Sequence, residues 1–188
     1  MRRLAVAVIL LAGCAGMAWA DPAPITFNGV DFVFHDIGRI NNGWGAYYTP
    51  WRQEPNQSRD EIIVNYMDRV DAEGHAITAQ QLAEKMLGSI KENGGKTLLP
   101  FAAPDEAFKN RLSYYVHFFY VYPQDHNGDI WIARVAQDDE RAIGILYKHQ
   151  IDGTDAGDIE AKAVGWLKDN MKSTPIDKIV PPPEPPHS

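Results

Sequence analysis

The sequence predicts an α+β fold: a mainly antiparallel sheet of about six or seven strands packed with two amphipathic helices, over 78–93 and 155–172. Three observations predict it. Several short segments alternate apolar and polar residues with a period of two. Two segments switch to the helical period. Turn signals rich in Asn, Gly, Asp and Pro separate them.

In chain order, Ile25 to Phe34 favours strand, with Val30, Phe32 and Phe34 on one face. Asn41-Asn42-Gly43 marks a turn. Gly45 to Thr49 is a short aromatic strand, which Pro50 ends or places at an edge. Arg52 to Arg59 is a polar loop. Glu61 to Met67 is a strand with Ile62, Val64 and Tyr66 on one face and Ile63 on the other.

Then Ala79, Leu82, Ala83, Met86, Leu87 and Ile90 fall on a single helical stripe. Thr78 and Gln81 form a T-x-x-Q capping box before it, and Gly94-Gly95 supplies a left-handed stop. Lys96 to Phe101 is a strand, and Pro104 to Lys109 a loop or one helical turn. Leu112 to Tyr122 is apolar on both faces, as a central strand covered on both sides would be. Asn127-Gly128 is a two-residue hairpin signal, after which Ile130 to Ala136 returns antiparallel. Asp138 to Arg141 turns again into a last strand, Ala142 to His149. Thr154 or Asp155 can cap the second helix, with Asp158 and Glu160 in its first turn and Lys168 and Lys172 near its end. Its stripe is Ile159, Ala163, Trp166, Leu167 and Met171, and Pro175 stops it.

This order of strands, helix, four strands, helix resembles the PsbP-like and DcrB-like exported proteins. Asp60 to Val70, Thr78 to Gly95 and Leu112 to Ile151 carry the likeness, which lies in layout and not in a motif. The resemblance implies a binding or accessory domain rather than an enzyme, and transfers no functional residue.

The N-terminus reads as an export signal. Arg2 and Arg3 precede an uncharged apolar run from Leu4 to Ala12, whose rise of about 13 Å is too short for a hydrocarbon layer of roughly 30 Å. Two processing sites compete. Ala18-Trp19-Ala20 suits cleavage after Ala20, giving a signal over 1–20. Leu11-Ala12-Gly13-Cys14 resembles the lipobox, giving a signal over 1–13 and an acylated Cys14. The expected compartment is the periplasm, as an outer-membrane lipoprotein or a soluble or secreted protein. A lipid anchor on Cys14 would be the only membrane attachment. One domain spans 25–174, and 175–188 is a Pro-rich disordered tail.

Removal of residues 1–20 from the 188-residue chain leaves 168, enough to bury a full core without disulfides, and Cys14 is the sole cysteine. Loss of Arg2 and Arg3 moves the formal net charge from −7 to −9, which disfavours nucleic acid as a partner. No catalytic set stands out: G-x-S-x-G, the P-loop and G-x-G-x-x-G are absent. No cofactor or metal is expected. Asp125, Asn127 and Asp129 begin like an EF-hand, but Ile130 and Ala136 occupy its glycine and glutamate positions. Asp152, Asp155, Asp158 and Glu160 suit a helix N-terminus. His117 and His149 lie on strands and could meet across the sheet.

The distinctive local composition is Trp44 to Arg52. Within it Trp44, Tyr47, Tyr48, Trp51 and Arg52 are residue types enriched at binding hot spots, and are the expected partner-binding residues; alternate members also suit a core. The function expected is an exported, non-catalytic envelope protein that binds a protein or cell-wall partner, one form being a periplasmic inhibitor or immunity protein. The alternative is an envelope hydrolase or carbohydrate-binding enzyme using the 44–52 segment.

If Cys14 is acylated, Cys14→Ala releases the protein from the membrane fraction. A mature protein that is soluble and begins at Asp21 in both forms would assign processing to Ala20 instead.

Overall fold

A computed structural model describes residues 22–170, with 41, 42, 56, 71, 72, 98–100, 138, 140, 154 and 155 excepted. Cys14, Ala20 and the 175–188 tail therefore lie outside the described residues.

Among the described residues the period-two segments become nine strands of a single antiparallel sheet. Ile25–Phe27 (β1), Val30–Ile40 (β2), Gly43–Pro50 (β3) and Asp60–Asp68 (β4) form a first meander. Lys96–Thr97 (β5) and Phe101–Asp105 (β6) both pair with Arg111–Tyr122 (β7). Asn127–Gln137 (β8) and Arg141–Asp152 (β9) complete a second meander. Pairing of β4 with β9 joins the two, giving the order β1-β2-β3-β4-β9-β8-β7-β5 with β6 beside β7.

The α+β expectation is overturned. Among the described residues strand far exceeds helix, so the class is mainly β, a sheet curled into a half-barrel with two short helices added. The physical reason is that β1 to β4 and β9 bury their inner face by curling against one another, which confines the helices to the second meander. Phe27 of β1 lies 4.1 Å, ring to ring, from Tyr147 of β9, although three strands separate β1 from β9 in the sheet. Trp44, Ala46, Tyr48, Ile62, Val64, Tyr66, Ile143, Ile145 and Tyr147 line this inner face as one buried cluster. Phe108, in the 3-10 turn Glu106–Phe108 after β6, packs on it from the other side. The strand count also exceeds expectation because Ile25 to Phe34 is not a single strand. Asn28 (φ 52°) and Gly29 (φ 73°) make a tight turn between β1 and β2.

The first helix, Ala79–Glu92 (α1), has the expected capping box. Thr78 Oγ1 accepts from the Gln81 N–H at 3.2 Å, and Gln81 Oε1 accepts from the Thr78 N–H at 2.9 Å. Gly94 (φ 80°) ends it. Ala79, Ala83 and Ile90 are the buried members of its stripe, while Leu82, Met86 and Leu87 are half-buried beside them. They cover Val116, Phe118, Ala133 and Val135 on the outer face of β7 and β8. The second helix, Ala156–Asn170 (α2), puts Ile159 against Phe119, Ile130 and Ile132 on the inner face of the same strands and against Ile151 of β9. The other members of its expected stripe, Ala163, Trp166, Leu167 and Met171, lie outside the described side chains.

The Asn127-Gly128 signal finds the right hairpin but not its turn. Residues 123–126 make the turn, with His126 at φ 51°, and Asn127 already pairs with Tyr122. Gly128 is needed for another reason. A Cβ there would stand 2.4 Å from the Tyr120 carbonyl oxygen and 2.8 Å from Ile159. Gly88 in α1 has nothing within 4 Å. Gly128→Ala is thus expected to lower stability by about 1–3 kcal/mol, and Gly88→Ala to raise it by about 0.5–1 kcal/mol through helix propensity. Denaturant midpoints of the two variants against the parent check both signs.

Candidate functional site

Alternation along β3 divides the aromatic segment between the two faces of the sheet. Trp44 and Tyr48 point inward and are fully buried, Trp44 stacked on Tyr66 at 4.0 Å. Both are core residues, which removes them from any docking surface; burial also pushes the Tyr48 phenol up to about 12. Tyr47 points outward and is half-buried, its ring passing over Gly38 and Gly45. Only Trp51 and Arg52 stand clear. Trp51 is 60% exposed, the most exposed of the large apolar side chains described. Its backbone is nevertheless fixed: the Trp51 N–H donates to the Asp31 carbonyl at 2.9 Å, and the Gln53 N–H to the Pro50 carbonyl at 3.1 Å. Arg52 adopts φ 67°, a left-handed conformation uncommon outside glycine, and holds its guanidinium 5.9 Å from the Trp51 ring centre. The corner after β3 thus presents an indole and a guanidinium on a backbone ordered beforehand.

The fold assembles two polar clusters that the sequence does not announce. At one end of the β4–β9 seam, Asp60 Oδ1 accepts from the Tyr147 hydroxyl at 2.7 Å and meets His149 Nδ1 at 2.7 Å. Burial alone would raise the Asp60 carboxyl. Its hydrogen bonds to His149 and Tyr147, with the charges of His149 and Arg59, outweigh that and hold it below its usual value. A carboxylate on one imidazole nitrogen fixes the ring and its tautomer, an arrangement that orients a general base as well as a structural histidine. The second cluster lies inside the half-barrel. Arg134 and Asp105 form a salt bridge with side chains 2% and 4% exposed, the Ser113 hydroxyl also donates to Asp105, and Arg134 Nε reaches it at 2.7 Å. The Phe108 ring sits 5.4 Å from the guanidinium. This pair ties β6 across β7 to β8. A buried pair of this kind fixes register more than it adds stability.

His117 and His149 do not meet. His117 is opposite Ile132 and His149 opposite Ile130, so they share a face but lie two strands apart and staggered. Burial pushes the His117 imidazole down. The acidic groups considered in the sequence disperse into ion pairs: Asp152 with Arg59 at 2.5 Å, Glu160 with Lys96 at 2.6 Å, and Asp139 with both Lys109 and Arg111. Asp129 accepts from the Tyr122 hydroxyl at 3.2 Å. Asp155 lies outside the described residues. Among the described residues no three His, Cys, Asp or Glu side chains are grouped to hold a metal ion.

No protein-family model matches the chain, and no curated protein matches it.

The depressed Asp60 carboxyl has a pH consequence. A carboxylate whose folded pKa lies below its unfolded value of about 3.9 contributes stability that is present above that pH and lost as pH falls through the folded pKa. Asp60→Asn is therefore expected to be less stable than the parent at neutral pH, and the gap should narrow as pH drops below about 4. Thermal melts of both proteins across that range test this; a gap that stays constant down to the acid limit would rule the linkage out.

Proposed function

We propose that this is an exported, non-catalytic envelope protein that binds another protein through the Trp51–Arg52 corner. The observation that carries the reading is an indole 60% exposed on a backbone held by hydrogen bonds. Leaving that much aromatic surface in water has no folding benefit, whereas rigid Trp and Arg side chains supply contact area and a planar donor fork at low ordering cost. Export rests on the N-terminal signal. The charge of the mature chain, −9 once Arg2 and Arg3 leave with the signal, would steer a basic partner towards it. Where the partner is a lytic or toxic enzyme, such a protein acts as an inhibitor or immunity protein. A hydrolase is the second reading, and the Asp60–His149 pair is the observation that favours it; loss of an envelope-substrate activity in His149→Gln would support that class.

The test pairs binding with stability. Trp51→Ala and Arg52→Ala should leave the melting temperature unchanged, since both side chains are exposed. Trp51→Ala should weaken capture of the envelope partner by about thirtyfold, equivalent to about 2 kcal/mol. Capture equal to the parent by both variants, with the fold intact, would remove this corner from the function.

A further inference from the structure

The groove at the N-terminal end of α1 is separate from the Trp51 corner. It encloses about 440 Å³, within the size range of small-ligand sites. Thr78, Gln80, Asn110, Arg111, Leu112, Tyr114 and Gln137 are among the residues that line it. Its floor is an anomaly. Val116 and Phe118 are buried beneath α1 and Tyr114 packs beside it, but α1 begins too late to cover Leu112, on the same outward face of β7. Leu112 is left 49% exposed.

Among the described lining residues only Arg111 is charged, and they offer unused hydrogen-bonding groups. Gln137 Oε1 accepts from the Ala79 N–H at 2.8 Å, which leaves the Nε2 hydrogens of Gln137 without an acceptor among the described residues. The Asn110 side-chain amide has no partner there either. Its backbone is fixed, with φ 59° and its N–H donating to the Asp105 carbonyl at 2.8 Å. The Tyr114 hydroxyl reaches Gln80 Oε1 only at 3.4 Å, a bond long enough for a ligand to displace. Arg111 is engaged on one side by Asp139.

Neutral amide donors beside one bare aliphatic side chain suit a group that is itself half amide and half methyl. We propose that this groove binds an N-acetylated sugar, with the acetamido methyl on Leu112, its carbonyl accepting from Gln137 Nε2 and Asn110 Nδ2, and ring hydroxyls meeting Gln80 and Tyr114. Arg111 Nη1, buried without a hydrogen-bond partner among the described residues, is a further donor at the groove's edge for a sugar hydroxyl.

The experiment is a titration of isotope-labelled mature protein with N-acetylglucosamine, and separately with glucose and with an acetylated peptide, followed by amide chemical shifts. Saturable shifts confined to Gln80, Asn110, Leu112 and Gln137, at least tenfold weaker with glucose, are the expected result. No shift at tens of millimolar, equal response to glucose, or preference for the peptide would each overturn the proposal. Gln137→Glu sharpens it. The carboxylate still accepts the Ala79 N–H and suits the start of a helix, so the fold is retained, but the Nε2 donor is gone. Binding should fall at least tenfold; unchanged binding by this folded variant would overturn the assignment. Trp51→Ala should have no effect on the titration, so the two proposals stand or fall separately.

Discussion

The pairing of β4 with β9 is the constraint on which the rest of the molecule depends. Nine residue pairs, from Asp60 with His149 to Asp68 with Arg141, join two meanders that are each local in sequence. Without that seam the aromatic cluster shared by the two meanders would be divided. With it, Ile62, Val64 and Tyr66 lie beside Tyr147, Ile145 and Ile143, and the curl carries β1 over until Phe27 reaches Tyr147. The cost is the entropy of closing a long chain segment before any of these contacts forms. Asp60, Tyr147 and His149 cluster at the end of this seam, so its polar chemistry is a product of the same pairing.

The curl also decides what each face is for. The inner face is closed by its own aromatic and branched side chains, with the Arg134–Asp105 pair sealed among them. Among the described residues the outer face is covered where α1 lies on β7 and β8. The two proposed binding sites therefore lie at the margins: the corner after β3, where Trp51 stays exposed, and the groove where α1 stops short of Leu112. The helices, on opposite faces of the same two strands, finish the burial of an otherwise self-sufficient sheet.

Several local signals in the sequence were accurate. The capping box at Thr78 and Gln81 forms as its spacing requires, and Gly94 ends the helix. The alternation of Ile62, Val64 and Tyr66 appears as strict burial on one face. Asn28-Gly29 was an equally local signal, able to divide Ile25 to Phe34 into two strands, yet the apolar alternation around it reads as continuous. Asn127-Gly128 misled in the opposite direction. Gly128 is there for close approach to the Tyr120 carbonyl, and a glycine in sequence does not reveal whether it serves a turn or a tight contact.

By itself the sequence determined the strands' faces, the first helix with both its ends, and the residue types available for binding, because each follows from neighbours a few positions apart. Only the tertiary structure decided the class, since whether helices or the sheet itself covers an apolar face depends on curvature and not on periodicity. It also decided which aromatics of the 44–52 segment are core: Trp44 and Tyr48 turn inward, while Trp51, past Pro50 and held to Asp31, stays in solvent. Asp60 and His149 stand 89 positions apart, and Asp105 and Arg134 stand 29 apart. No spacing rule reaches that far, and strand pairing alone brings such residues within hydrogen-bond distance.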